Sequence, residues 1–261
     1  MSQHNTWRAG GNARRFYTPV DLADLSVFLQ QLDSNEPLLW LGLGSNLLVR
    51  DGGFPGTVIC MHGAIADLEW LDETTLRAGA GVTCAKVARV TSKAGLTGVE
   101  FLAGIPGTMG GALAMNAGAF GSETWSHVTA VETIDRSGRL FTRKPADYRI
   151  GYRSVQGPAD EWFVAAHIAL QHGDAVQAQA RIRELLAQRS ASQPVQQRSC
   201  GSVFRNPPGD HAARLIEASG LKERRVGGAQ VSGKHANFTI NTGDATAADI
   251  ETLLNLSLIH I

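Results

Sequence analysis

Gly104-Ile105-Pro106-Gly107-Thr108-Met109-Gly110-Gly111-Ala112, followed closely by Met115-Asn116-Ala117-Gly118-Ala119-Phe120-Gly121, is the densest glycine block of the sequence. Glycines let backbone amides turn inward and approach an anion, so such a block can form a nest for phosphate. Two shorter segments have the same character: Gly42-Leu43-Gly44-Ser45-Asn46-Leu47 and Gly79-Ala80-Gly81-Val82. Ser45 and Thr108 would add hydroxyl donors. A dinucleotide fingerprint needs GxGxxG opening a helix, but its third glycine position here is Leu47. A P-loop needs GK[ST] after its glycines, and this block offers Gly110-Gly111-Ala112. Any one of these loops taken alone reads better as an ordinary tight turn; three together point to a nucleotide or flavin binder.

Around these loops the chain alternates strand and helix signals. Val20–Leu32 has Leu22, Leu25, Phe28, Leu29 and Leu32 at helical spacing. Leu38–Leu41, Leu47–Val49 and Thr57–Met61 read as short strands, and Thr74–Ala80 as another. Thr83 is placed to cap a helix reaching Ala94, with Gly95 as its stop. Val128–Asp135 and Arg139–Arg143 flank Ser137-Gly138 as a hairpin, and Trp162–Leu170 follows as a strand. After Gly173-Asp174 a different region begins. It has an amphipathic helix through Ala178, Ile182, Leu185, Leu186 and Arg189 that Pro194 ends, then helices at Arg214–Ala218 and Ala245–Leu254. Strands interleaved with helices indicate an α+β or α/β protein.

The bulk properties exclude several classes. Hydrophobic residues make up 43% and charged residues 18% of the 261, as in an ordinary globular protein. Lys plus Arg and Asp plus Glu both number 24, so no global field favours nucleic acid or a membrane surface. Cys60, Cys84 and Cys200 form no CxxC pair and the histidines have no ligand spacing, so no metal site is expected. The N-terminus MSQHNTWRAGG has no apolar signal stretch, and the expected location is cytoplasmic.

The glycine block, read with Asn5-Thr6, Gly10-Gly11, Gly42–Leu48, Tyr152-Arg153-Ser154, Gly201-Ser202-Val203-Phe204-Arg205-Asn206-Pro207, Leu215-Ile216-Glu217, Gly220-Leu221-Lys222 and Ser232–Asn241, resembles the MurB family of UDP-N-acetylenolpyruvoylglucosamine reductases. The resemblance runs in family order to about Glu251. It implies an α+β protein with the FAD-binding fold of the vanillyl-alcohol-oxidase / PCMH type and a C-terminal α/β substrate-binding domain. On that reading residues 1–172 hold FAD in two α/β subdomains, 1–62 and 63–172, and residues 173–261 carry the substrate. FAD contacts would fall on Gly42, Leu43, Gly44, Ser45, Asn46 and Leu47, and on Gly79, Ala80, Gly81 and Val82. Further contacts would be Gly104, Ile105, Pro106, Gly107, Thr108, Gly110, Gly111 and Ala112, with Asn116, Ala117, Gly118 and Ala119 lining the same cofactor.

The implied reaction serves peptidoglycan precursor synthesis. NADPH gives hydride to FAD, and hydride then reaches the terminal carbon of the double bond of UDP-N-acetylglucosamine enolpyruvate, giving UDP-N-acetylmuramate. Negative charge develops on the adjacent carbon and carboxylate, where a proton must arrive. The resemblance puts Ser202 at the proton donor; a hydroxyl is a weak acid, suited only to a strongly basic, enolate-like centre. Without the family context Ser202 reads better as a turn or helix-cap residue. Arg153 would hold the developing charge with its planar guanidinium fork, its alternative being a surface ion pair. Asn206, Lys222 and Arg189 are candidate substrate contacts. Lys222 can meet a phosphate as a point charge, and Arg189 can instead simply complement a helix end. His235 and Asn237 lie in a family-like stretch that also reads as packing. No obligate protein partner is evident.

The family continues past this point with another helix and a Pro-Glu segment whose glutamate assists proton delivery. This sequence ends Leu256-Ser257-Leu258-Ile259-His260-Ile261, which does not match, and Glu251 lies in the preceding helix. The expectation is a truncated reading frame with impaired turnover. A different FAD oxidase of the same fold is disfavoured by the Tyr-Arg-Ser and Gly-Ser-Val-Phe-Arg-Asn-Pro motifs, and neither His62 nor Cys84 sits in a covalent flavin-attachment motif. A non-catalytic nucleotide-binding protein is the competing class, supported by the missing glutamate and opposed by Arg153 and Ser202.

Overall fold

The computed structural model describes residues 1–260; Ile261, the end of the tail that departs from the family pattern, lies outside the described residues. The chain forms two compact units. One is Met1–Arg14, Leu43–Pro55 and Gln188–Ile261; the other is Arg15–Gly42 and Gly56–Ala187. Both are discontinuous in sequence, and the division falls inside a helix rather than near Gly173.

A three-stranded sheet carries β1 (Ala13–Tyr17), β2 (Leu38–Leu41) and β3 (Phe54–Cys60) in the order β1-β3-β2. β2 and β3 run parallel, Leu38 opposite Thr57 and Leu41 opposite Cys60. Parallel neighbours need a crossover; here the intervening chain swings out through residues of the other unit. Helix α1 (Leu22–Gln30) starts at Asp21, whose carboxylate accepts the Asp24 amide at 2.8 Å. Its buried Leu25 and Leu29 cluster with Ile59, Ile134 and Val164.

β4 (Leu68–Trp70), β5 (Thr75–Gly79), helix α2 (Cys84–Lys93) and the short α3 (Met109–Ala114) follow. Thr83 caps α2 as its sequence predicts, its hydroxyl accepting the Lys86 amide at 3.2 Å, and Gly95 takes the left-handed φ of 72° that ends it. β6 (Val128–Asp135) and β7 (Leu140–Arg143) form the expected hairpin. A second hairpin pairs β8 (Arg149–Gly151) with β9 (Ser154–Gln156), and β10 (Glu161–Ala169) completes an antiparallel sheet ordered β7-β6-β10-β5-β4. The second, larger core of the larger unit packs α2 and α3 on that sheet through Val87, Met109, Leu113, Val131 and Ile168.

Helix α4 (Ala175–Ser192) leads into the smaller unit. There α5 (Ala212–Ala218) precedes an antiparallel sheet of β11 (Arg225–Val226), β12 (Ala229–Val231) and β13 (Thr239–Asn241), with α6 (Ala247–His260) last. The core is Trp7, Cys200, Ile216, Val231, Ile250 and Leu253. The N-terminal segment belongs here because Trp7 Nε1 donates to the Thr239 carbonyl at 2.8 Å and Asn241 Nδ2 to the Trp7 carbonyl at 2.7 Å. Asp51 accepts the Ala247 and Ala248 amides at 2.9 and 3.0 Å, placing a carboxylate on the first turn of α6. Leu47–Val49, expected as a strand, is irregular; the Leu47 carbonyl turns to Cys200 Sγ at 3.5 Å. No described helix is long and apolar enough to cross a membrane.

Candidate active site

The larger unit encloses a cavity of about 290 Å³. One wall is the end of β2 at Gly42 and the start of α3 at Thr108, Gly110 and Gly111. Gly42 is required by close approach: a Cβ there would lie 2.4 Å from Thr108 Oγ1. A Cβ on Gly111 would meet only that same oxygen, at 3.9 Å, so this position is open. The opposite wall is aromatic, with Trp40 stacked on Trp162 at 5.0 Å between ring centres and Tyr148 packed on Trp125 and Phe163.

Trp40 Nε1 and Tyr148 Oη are buried without a hydrogen-bond partner. Buried indole and phenol groups ordinarily find one, so two orphans beside one cavity fit a ligand with polar atoms. Burial, with the nearby Glu161 charge, pushes the Tyr148 hydroxyl up to about 12, so it stays a donor at neutral pH. Glu161 itself is held ionised, its carboxyl pulled below the usual range by Arg143 and Thr133.

The amide nest expected at Gly79–Val82 does not form. The Gly79, Ala80, Gly81 and Val82 amides donate to Asp67, Val164, Ile65 and Gly79 carbonyls at 2.7–3.0 Å. The two glycines instead admit neighbouring backbone: a Cβ would fall 2.6 Å from the Ile65 oxygen at Gly79 and 1.9 Å from the Met61 oxygen at Gly81. Ala80 alone of this loop lines the cavity. In the long block, the Ile105, Gly107, Met109, Gly110 and Ala112 amides are likewise bonded within the protein, and Gly104 makes room for the Phe120 ring, 2.5 Å from where its Cβ would stand. Pro106 is exposed. Thr108, Gly110 and Gly111 are what this block presents to the cavity.

Arg153 occupies the tip of the β8–β9 hairpin, where Gly151 pairs with Ser154 and leaves Tyr152-Arg153 as the turn. Its φ is 52°, a left-handed conformation that costs an L-residue energy and persists where the surroundings impose it. The guanidinium donates to the Gly118 carbonyl at 3.0 Å. Beneath it, buried Asn116 donates to Glu123 at 2.8 Å and to the Gly151 carbonyl at 3.2 Å, and accepts the Trp125 amide at 3.2 Å. Asn116 thus spends both N–H bonds on the protein, tying the hairpin base to the loop of Ala117, Gly118 and Ala119.

The smaller unit places Ser202 on an exposed loop after Gly201, whose φ is 76°. Asn237, 3% exposed, holds the residues that follow. Its carbonyl accepts the Val203 amide at 3.0 Å, and its side-chain amide exchanges two 2.9 Å bonds with the Phe204 backbone. On the other side of Ser202, the buried Cys200 thiol lies 3.0 Å from Thr6 Oγ1 and 3.5 Å from the Gly44 carbonyl; burial pushes its pKa up, leaving it a neutral anchor. Gly44, with φ 63°, would put a Cβ 2.1 Å from the His4 oxygen; Leu43, Ser45 and Leu47 around it are half-buried and Asn46 is exposed. Asn206 Oδ1 accepts the Ala212 amide at 3.1 Å, capping α5. Lys222 pairs with Glu217 at 2.8 Å on the surface, and half-buried Arg189 donates to the neutral Gln193. Sequence reading passed over Trp40, Tyr148 and Trp162, and read Asn237 as equally a packing residue; a tryptophan in an apolar run carries no mark that its N–H will be left over.

Comparison with known proteins defines the class and then the family. Residues 13–143 match the FAD binding domain family, so the larger unit, with its cavity and orphaned donors, is that of a flavin-dependent protein. Residues 193–257 match the family described as UDP-N-acetylenolpyruvoylglucosamine reductase, C-terminal domain. The chain is 60% identical over 97% of its length to the UDP-N-acetylenolpyruvoylglucosamine reductase of Alkalilimnicola ehrlichii, covering 85% of that protein. It is equally similar, at 60%, to that of Methylococcus capsulatus, of which it covers 84%. The crystal structure of UDP-N-acetylenolpyruvylglucosamine reductase (MurB) from Thermus caldophilus superposes with a TM-score of 0.87 at 32% identity, over 100% of this chain and 93% of that one. The chain belongs to the UDP-N-acetylenolpyruvoylglucosamine reductase family, the FAD-dependent oxidoreductases expected from its motifs.

Proposed function

We propose that this chain reduces UDP-N-acetylglucosamine enolpyruvate to UDP-N-acetylmuramate with NADPH, as a cytoplasmic step of peptidoglycan precursor synthesis, and that Arg153 and Ser202 are its catalytic residues. FAD, when bound, supplies the hydride chemistry between NADPH and the enolpyruvyl double bond. Gly42, Thr108, Gly110 and Gly111 would hold it along the cavity wall. Arg153 then stabilises the carboxylate and the charge that grows on the carbon beside it; a fixed guanidinium aimed at developing charge is worth most where water is excluded. Ser202 delivers the proton to that carbon. Arg189 and Lys222 would meet the diphosphate, Lys222 after leaving Glu217, while Asn206 shapes the Ser202 loop by capping α5.

The observation that carries this reading is the left-handed Arg153 (φ 52°) at the tip of a hairpin whose Gly151 carbonyl is held by Asn116. A two-residue hairpin turn favours glycine or asparagine at its left-handed position, and this one carries an arginine instead. The test is an absorption spectrum recorded without air. Flavin bands that bleach on NADPH and return on UDP-N-acetylglucosamine enolpyruvate support the reading; bands that bleach and stay bleached with that substrate would sink it.

A further inference from the structure

The Gly118 carbonyl that takes the Arg153 guanidinium belongs to a second small hairpin, Gly118–Ala119 paired with Ser122–Glu123. Two residues a leg are too few to hold themselves. Gly118 and Ala119 bring no polar side chain, so anchoring falls to the other leg. Glu123 is held by Asn116 at 2.8 Å. Ser122 is held by His127, with Oγ and Nε2 hydrogen-bonded at 3.2 Å. His127 ends the turn Thr124–His127 that leads into β6, and the reaction proposed above makes no use of it.

The imidazole is half-buried in a slot. Its ring lies 5.5 Å from that of Phe101, centre to centre, and a Cβ on Gly98 would stand 3.5 Å from its Nδ1 and Cε1. Glu100, which accepts the Gly98 amide at 3.0 Å, is the charged group that acts on the ring; the hairpin side offers the neutral Ser122. Burial outweighs Glu100 and pushes the His127 pKa down, so the ring is uncharged at neutral pH. A histidine depressed on folding contributes stability that is intact above its unfolded pKa, about 6.5. That contribution is lost as pH falls through the folded value.

We infer that His127 is a positioning residue for the second half of the reaction: through Ser122 it braces the 118–123 hairpin and so fixes the Gly118 carbonyl on which Arg153 rests. Acid releases the brace. The inference rests on Arg153 stabilising charge, as proposed above.

The test follows the return of the flavin bands on UDP-N-acetylglucosamine enolpyruvate, in the NADPH-reduced full chain, as a function of pH. His127→Phe keeps a ring without the hydrogen bond, and Ser122→Ala removes the partner. Each is expected to slow the return about tenfold at neutral pH, the usual effect of losing one hydrogen bond, with bleaching by NADPH unchanged. That unchanged bleaching also shows that the variants fold and hold FAD. His127→Gln can still bond Ser122 but does not titrate. It should recover most of the rate that His127→Phe loses, and slow less steeply than wild type as pH falls below the ordinary histidine range. Because His127 acts through Arg153, adding His127→Phe to Arg153→Ala should cost nothing further. A wild-type return rate in both His127→Phe and Ser122→Ala overturns the inference. So does a His127→Gln variant with the wild-type acid slope, or a further loss in the double variant. Arg153→Ala alone reports on the Arg153 reading: a wild-type return there sinks that reading whatever the His127 variants do, so the two fail separately.

Discussion

The Arg153 hairpin and the Ser202 loop carry the two proposed catalytic groups, one in each compact unit, and they are built in opposite ways. Arg153 is fixed in its own backbone: a two-residue turn, a left-handed φ of 52° and a guanidinium already bonded to Gly118. Ser202 is free at its side chain and exposed, with rigidity supplied from either side by Cys200 and Asn237. What they share is a buried asparagine, Asn116 or Asn237, whose side-chain amide both donates to a backbone carbonyl and accepts a backbone N–H. A charge stabiliser has to stand still before charge appears, whereas a proton donor has to reach an atom that changes geometry. The difference in construction matches the difference between the two proposed tasks.

The largest effects should come from the groups themselves. Ser202→Ala is expected to cut turnover about 10³-fold, as loss of a proton donor does, with FAD content intact. Arg153→Ala should cost about 10²–10³-fold. A milder variant sharpens the contrast: Arg153→Gly removes the charge but relaxes the backbone. Activity should fall as in Arg153→Ala while stability in urea is held or rises by up to about 1 kcal/mol; a fall in stability would mean that the left-handed turn is not strained.

Next in size are the supports. Asn237→Ala leaves the Phe204 backbone groups unpaired and should lower unfolding free energy by about 1–3 kcal/mol. The same change should slow product formation without altering reduction by NADPH. Asn116→Ala should lower stability similarly, and its catalytic loss should not exceed that of Arg153→Ala, through which it acts.

Smallest is a pH effect remote from both segments. Arg77 and His167 flank Glu132 at 2.6 and 2.8 Å and hold its carboxyl below the usual range, against the opposing effect of burial. A depressed carboxylate stabilises the fold above its unfolded pKa and loses that contribution as pH falls through the folded value. The melting temperature of the wild type should therefore drop faster than that of Glu132→Gln as pH is lowered below the ordinary glutamate range. Parallel curves would remove Glu132 from the acid response.

Much of the local structure was legible. The helical spacing of Leu22, Leu25 and Leu29 in α1, Thr83 and Gly95 around α2, and the Ser137-Gly138 turn each say their role through residue type and position. The sheet of β11, β12 and β13 was not, since strands of two or three residues hold no periodicity to read. The place of the N-terminal segment was hidden for another reason: Trp7 finds its partners at Thr239 and Asn241, a relation that spacing cannot announce. Glycine was the ambiguous letter. At Gly42 it borders the cavity, while at Gly79 and Gly81 it admits other backbone, and the sequence signal is the same. Ser202 and Arg153 are proposed on the family motifs around them; the orphaned Trp40 and Tyr148 appear only once burial is known.

The central claim is that Arg153 and Ser202 serve the second half of the reaction and leave the first alone. Stopped-flow absorbance without air tests it most directly, following flavin bleaching by NADPH and its return on mixing with UDP-N-acetylglucosamine enolpyruvate, in wild type, Arg153→Ala and Ser202→Ala. The account predicts equal bleaching rates in all three and a slowed return in both variants. Variants whose bleaching slows while the return keeps the wild-type rate would contradict it.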